Sequence, residues 1–487
     1  MIKIINKERT IEELNEGMAE NAFNIIENLS DKVLDYNENN FHICDLINNT
    51  FVDKRKYISE ITPSLLILSG VQSRMKQQFS ISELPLALTS QEVIETIKMN
   101  LSYDSKESLL KESNIRDILS KYEQIDKENL EFNDELIKFF NSFNKSYLKT
   151  ANIDCDIHIV DCSVLDVNIE NENYEGSSIT HKGGKKLRGY KIGMIRGVTN
   201  NGGVVEEICM STAKDHDVKM IDDMLRKTEH FKKDDFAMLD RGFLDIELFK
   251  ALTKKGVKVI IPARKNMEIS IEAKRIAIEN NNWIKHPNPK RRGQDITLVS
   301  GLERCWLSEK DRLKKPEKLE LDYKINTCVI RFDKKKNKDI IEDEILLEDE
   351  EYAYAIIMTN DISLSCSEII RMYEMRPEIE EDFRQLKDFW GLNAYRSTKY
   401  HIISFIIMVS LLGYNLYKVF IESDEGNKYI GKSLIVEEKH GLYIVKNVRT
   451  AIVTKHYFYI FQINELLDLY ADLDKNKRML IKQYLTL

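Results

Sequence analysis

Three carboxylates stand where the local sequence would hold them rigidly. Asp161 lies inside the alternating segment IHIVDCSVLDV, Asp240 closes the short apolar run FAMLD, and Glu380 sits in the helical stretch IIRMYEMRPEIEEDFRQLKDFWGL. A carboxylate at the end of an apolar strand is fixed at a sheet edge, which suits the oxygen coordination of a hard divalent cation. With 80 acidic residues in the chain, placement alone does not select this triple. The helix around Glu380 adds to the case for it. Tyr373, Arg376, Glu380 and Lys387 fall at relative positions 0, 3, 7 and 14, and at roughly 100° per residue they share an arc of about 60°. Arg384 lies on the same face. Such a stripe is ordinarily a solvated face laced with i,i+4 ion pairs. Here apolar residues on the opposite arc anchor the helix and aim its phenol, guanidinium, carboxylate and ammonium at something. Pro377 directly follows Arg376; it removes a helix hydrogen bond and biases Arg376 away from helical angles, so a kink is expected there.

The spacing Y-x2-R-x3-E-x6-K, the DCS around Asp161 and the DRGF box at Asp240 to Phe243 together resemble the DDE transposases of bacterial insertion sequences, the insertion-sequence-four group. The resemblance covers residues 155–262 and 365–420 firmly and the rest weakly. It implies an RNase H-like catalytic domain in which Asp161, Asp240 and Glu380 are the catalytic acids and hold two Mg²⁺ ions, with Mn²⁺ able to substitute. Two cations about 4 Å apart activate the attacking oxygen and neutralise the leaving one in a phosphodiester displacement. Tyr373, Arg376 and Lys387 then resemble contacts to transposon-end phosphates, Arg suited to a bidentate grip and Lys to a point charge. Arg384 on the same face and Arg241 of the DRGF box join the expected DNA contacts. The implied activity is cut-and-paste transposition: recognition of inverted-repeat ends in double-stranded DNA, cleavage, and transfer to a target by a homodimer assembled on the DNA. Two other readings use the same residues. One is an RNase H-like nuclease without strand transfer; the other is a catalytically silent DNA-binding descendant, against which the intact acids count.

The elements that must position these residues read as an α/β fold. IHIVDCSVLDV, KLRGYKIGMIRGV and VVEEICMST form an antiparallel meander across glycine turns at Gly197 and at Gly202 with Gly203; a helix, the strand FAMLD, a helix and the strand VKVIIPAR follow. The order β-β-β-α-β-α-β gives a mixed sheet with helices packed on it, which agrees with the RNase H-like expectation. Residues 1–150 read as an all-helical N-terminal domain, a candidate for transposon-end binding. Its expected helices include IEELNEGMAENAFNIIENLSDKVLDY and TSQEVIETIKM, the latter with Thr89 and Glu92 spaced as a capping box. Residues 151–264 are the first part of the catalytic domain. Residues 265–351 lose the helical period and read as a β-rich insertion that leaves the catalytic sheet complete without it. Residues 352–425 resume the catalytic domain, and 426–487 form a mixed C-terminal region suited to protein contacts.

Composition sets the remaining bounds. The 487 residues are 43% apolar and carry a formal charge of -8, too apolar for a disordered chain. The acidity is uneven: residues 1–150 hold 18 basic and 25 acidic side chains, a balance of -7. Phosphate binding needs a local basic surface rather than a basic total. The segment HKGGKKLRGYKIGMIR, residues 181–196, has six Lys or Arg and no acid; its Lys185, Lys186 and Arg188 are candidates to track a DNA backbone, against the alternative of a solvated hairpin. Residues 285–315 hold nine Lys or Arg against four acids and include Trp306, with Trp283 just before them. In related transposases an aromatic of the inserted segment stacks on an extruded base, and Trp306 is the first candidate for that role. DKRK at 53–56 and SRMKQQ at 73–78 are further candidates. Seven cysteines without a CxxC pair argue against a disulfide framework and a zinc ribbon and suggest a reducing cytoplasm. The N-terminus lacks an apolar leader pattern. The uncharged run Ile402 to Tyr417, interrupted by serines and an asparagine, reads as a buried helix. The expected location is the bacterial cytoplasm, at the nucleoid when bound to DNA.

Overall fold

The computed structural model describes residues 4–55, 61–101, 112–122, 125–126, 131–132, 135–200, 202–304, 320–338, 347–429, 434–439, 442–461, 469 and 471–479. The chain forms two compact units, one of Ile118–Lys387 with Leu392–Met408, the other of Met1–Asp117, Asp388–Gly391 and Val409–Leu487.

The first unit is built on one mixed sheet. Strands β1 (Ile157–Val167) and β3 (Lys185–Thr199) pair antiparallel, with Asp161 opposite Met194. The far edge of β3 is shared by β2 (Ser178–Lys182) and β4 (Gly202–Thr212), both antiparallel to it. β3 runs straight through Gly197, where a turn is expected from the sequence; the tight turn lies instead at Gly183 and Gly184, both with positive φ. Such a pair suits a two-residue hairpin. β5 (Phe236–Leu239) lies parallel to β1, and β6 (Lys258–Pro262) parallel to β5. Parallel neighbours need crossovers, supplied by α2 (Asp217–Lys227) and α3 (Ile246–Lys254). An earlier helix, α1 (Glu135–Thr150), guards the outer side of β4: the Asn141 amide exchanges hydrogen bonds with the backbone of Ile208, and Asn144 donates to Val205 and Glu206 carbonyls. These amides satisfy backbone groups that an edge strand would otherwise leave open.

The segment expected to be a separate β-rich insertion is part of this same sheet. After α4 (Glu268–Asn280), a helix where the sequence suggests none, β7 (Gln294–Arg304), β8 (Glu320–Asp333) and β9 (Tyr352–Thr359) add on in the order β7-β8-β9-β6. β9 pairs antiparallel with β6 and β8 with β9 over Asn326 to Asp333. Val299, Leu302, Ile325 and Val329 share one apolar core with Val160, Leu239, Phe243 and Val259. Residues 265–351 thus extend the sheet beyond β9 with β7 and β8 and share its apolar core. Their charged connections look like linkers, while the strands between them pair with partners on both sides.

β9 leads into α5 (Cys366–Tyr373), opened by a capping box of Ser365 and Glu368, and then α6 (Pro377–Asp388). The break at residues 374–376 is the kink expected from Pro377. Helix α7 (Tyr400–Glu422) follows, apolar and largely buried, in agreement with the sequence reading. Cys328 of β8 and Cys366 at the start of α5 form a disulfide with Cα atoms 5.2 Å apart. This corrects the expectation of no disulfide: strand pairing, which spacing alone does not reveal, brings the two thiols together.

The second unit is not all-helical. Helices Lys7–Asn15, Leu29–Phe41, Ile43–Thr50, Pro63–Met75 and Gln91–Leu101 accompany a five-stranded sheet. In it, strand Ala19–Asn28 pairs antiparallel with Leu442–Thr454. The run expected to be one helix, residues 11–36, is thus helix, strand and helix. At the Gln91 helix, Ser90 rather than Thr89 caps: its Oγ accepts from the Val93 N–H, while Thr89 donates to Asp31.

The disulfide closes a loop of 38 residues between a core strand and the helix leading to Glu380. Reduction, or Cys366→Ser, should lower unfolding stability by about 2 to 4 kcal/mol, read by denaturant titration beside thiol alkylation and mass measurement; an unchanged midpoint with both thiols free would refute it.

Candidate active site

Register brings the first two acids together. In the parallel pair β1·β5, Val160 is opposite Leu239, so the next residue on each strand, Asp161 and Asp240, emerges at the same level. Glu380 lies in the first turn of α6, and Arg376 directly precedes that helix. The Arg376 guanidinium is the centre on which all three converge. Its Nη2 lies 2.9 Å from Asp161 Oδ2 and 3.6 Å from Asp240 Oδ2, and its Nη1 2.6 Å from Glu380 Oε1. Exposure rises from 15% at Asp161 through 39% at Asp240 to 57% at Glu380, so the cluster has a buried floor and an open mouth.

Burial pushes the Asp161 carboxyl up to about 6; Arg376 and the Cys162 N–H oppose this, and the neighbouring charges of Asp240 and Glu380 add to it. Three carboxylates against one guanidinium leave two formal negative charges, and hard oxygen donors in excess are the donor set that Mg²⁺ or Mn²⁺ takes. The donors fit such a cation in kind. Among the described residues no three acidic, His or Cys side chains already enclose a metal position, because the guanidinium stands between these.

Lys387 faces β1, its Nζ donating to Ser163 Oγ at 2.9 Å and to the Val164 carbonyl at 2.8 Å. Tyr373, at the end of α5, lines a cavity of about 160 Å³ with Arg241, Lys265, His286, Arg291 and Glu374. The Nε atoms of Arg241 and Arg376 are buried without a hydrogen-bond partner. Arg384 points outward and pairs with Glu381. Of the basic segment 181–196, Lys185 and Lys186 are exposed beside the β2–β3 turn. Arg188 is buried and donates to the Ile169 carbonyl and Glu172; Lys191 binds Asp217; Arg196 is fully enclosed. Trp306 lies outside the described residues. Trp283 packs against the core beneath Arg331, whose guanidinium carbon is 4.3 Å from its ring centroid, so its face is already covered. In the other unit, Arg55 pairs with Asp53, Arg74 is buried beside Phe79, and Lys76 donates to Ala87 and Thr89.

A family model described as the transposase DDE domain matches residues 158–416, a span that holds all three acids, Arg376, Lys387 and the strands β7 to β9. A search of curated proteins finds no match.

The sequence reading missed the group that holds β1 in place. His158, three residues before Asp161, is fully buried, with Nδ1 2.6 Å from Glu206 and Nε2 3.3 Å from Asp235. Glu206 is the extra residue of a bulge in β4, since Ile195 faces Glu207 while Arg196 faces Val205. Gly197 gives it room: a Cβ there would stand 2.8 Å from the Glu206 carboxyl. Burial alone would lower the His158 pKa, but the carboxylates on either side hold it up to about 9. A raised folded-state pKa contributes stability that is complete below the unfolded value near 6.5 and is lost as pH rises through about 9. Wild type should exceed His158→Gln by about 3 kcal/mol at pH 6, with the gap shrinking toward pH 10 in denaturant titrations. A gap independent of pH would show that His158 is neutral in the fold.

Proposed function

The chain belongs to the transposase DDE-domain family, and from that premise we propose that it cleaves double-stranded DNA at the inverted-repeat ends of a mobile element and joins those ends to a target. The observation that carries this is the convergence of Asp161, Asp240 and Glu380, from two strands and a helix, on one cationic centre. The strand order β4-β3-β1-β5-β6, antiparallel in its first three members and parallel in its last three, supports an RNase H-like core.

In this reading the three carboxylates hold two Mg²⁺ ions, or Mn²⁺ in their place, which when bound polarise the scissile phosphate and acidify the attacking hydroxyl. The chain's own side chains do the rest. The half-open mouth at Asp240 and Glu380 admits the phosphodiester, with water as the nucleophile for cutting and a DNA 3′-hydroxyl for joining. Arg376 exchanges its carboxylate partners for phosphate oxygens, a bidentate grip for which a guanidinium is shaped. Lys387 fixes α6 against β1 through Ser163 and Val164 and so sets the height of Glu380. The cavity that Tyr373 lines with Arg241, Lys265 and Arg291 accepts part of the DNA strand next to the cut, and the exposed Lys185 and Lys186 follow the duplex backbone. Arg384, outward on the same helix, adds a further phosphate contact. Two ends held together require a two-fold assembly on DNA, working in the bacterial cytoplasm at the nucleoid.

Glu380→Gln removes a negative charge and little shape. It should slow nicking of a supercoiled donor carrying the element's ends by roughly a thousandfold, about 4 kcal/mol of transition-state stabilisation, while gel-shift affinity for the same ends stays within about twofold. Cutting at the wild-type rate would remove Glu380 from the site.

A further inference from the structure

Arg196 is the largest fully buried side chain of the described residues, and it sits on β3 facing the back of α6. Its Nε binds Asp382, its Nη2 lies 2.9 Å from Glu378, and its Nη1 is buried without a hydrogen-bond partner. Asp382 and Glu378 are four residues apart and share one helix face; Glu380, midway between them, lies about 200° around the helix from Glu378. Arg196 therefore grips the face opposite the one that carries Glu380.

One feature of the sheet makes room for that grip. Gly203, on the neighbouring strand, leaves the space the guanidinium fills: a Cβ there would stand 2.5 Å from Arg196 Cζ. A buried guanidinium with a donor left over is costly, and apolar packing would hold a helix to a sheet at less cost. What a charged clamp adds is direction, since two carboxylates at fixed positions on α6 permit one rotational setting.

We propose that Arg196 is a positioning residue that sets the rotation of α6 and hence the reach of Glu380 toward Asp161 and Asp240. The inference rests on the reading of Glu380 given above and adds a residue that touches neither DNA nor the reacting atoms. The test compares Arg196→Met, Arg196→Lys, Asp382→Asn and Glu380→Gln in the full chain. It reads Mn²⁺ binding to the protein bound to uncut end DNA by electron paramagnetic resonance, amide exchange over residues 378–388, the Mg²⁺ dependence of nicking, and thermal unfolding. Arg196→Met should raise the Mn²⁺ dissociation constant about tenfold, the size typical of a lost outer-shell partner, speed exchange in α6, and move the Mg²⁺ midpoint upward, with nicking recovering at high Mg²⁺. Arg196→Lys should fall between it and wild type.

An unchanged Mn²⁺ constant, whether or not the melting temperature drops, would overturn the proposal and leave Arg196 a packing residue. If Arg196→Met does not fold, Asp382→Asn decides. It leaves Arg196 paired with Glu378 and should move the Mn²⁺ constant in the same direction by a smaller factor; no movement again overturns the proposal. Glu380→Gln separates the two levels. If it too binds Mn²⁺ and nicks as wild type, the reading of the site fails. If it is impaired while Arg196→Met is not, only the positioning role fails.

Discussion

Three carboxylates facing one another repel, and something positive has to stand among them. At an effective dielectric near 20, two charges 4 Å apart interact by about 4 kcal/mol, so this cluster persists in the folded chain because Arg376 reaches into it. The surrounding structure serves that meeting. Parallel register sets Asp161 beside Asp240. The break before Pro377 frees Arg376 from a helix and turns it inward, and the first turn of α6 brings Glu380 to the open side. The family resemblance suggests Arg376 as a phosphate contact; in this chain the same guanidinium bridges the three acids.

The position of the third acid depends on more of the chain than the motif suggests. α6 is clamped to β1 by Lys387 and to β3 by Arg196, and the helix before it is tied to β8 by the Cys328–Cys366 bridge. β8 lies between β7 and β9, inside the segment whose charged connections suggest a detachable insertion. Burying Val299, Leu302, Ile325 and Val329 in the common core is worth about 1.5 to 3 kcal/mol each. That segment is the path by which the chain travels from β6 to Glu380, and the energy that orders it also fixes the site.

Legibility followed the range of the interactions. Asp161, Asp240 and Glu380 sit in local patterns (strand alternation, the end of an apolar run, a helical stripe), and the short motifs around them, DCS, DRGF and Y-x2-R-x3-E-x6-K, carry the family resemblance that joins the three. The kink at Pro377 was readable locally too, since it arises from the ring's clash with its own neighbours. What needed partners far along the chain was not. Ala19–Asn28 continues a helix-like apolar spacing and becomes a strand because Leu442–Thr454 pairs with it. β7 and β8 look free-standing until β9 is seen between β8 and β6. His158 reads as a lone histidine on an apolar strand, and its two carboxylates come from 48 and 77 residues away. Arg196 reads as one of six basic residues in a DNA-tracking segment; the missing Cβ of Gly203 lets it pair with Asp382 and Glu378 on the helix that carries Glu380.

The account is tested most directly by anomalous diffraction from crystals of the protein bound to uncut end DNA and soaked in Mn²⁺. It expects Mn²⁺ peaks ligated by Asp161, Asp240 and Glu380, with the Arg376 guanidinium moved off the carboxylates and onto a phosphate beside the scissile bond. Peaks elsewhere, with Arg376 still bridging the three acids while DNA occupies the site, would contradict it.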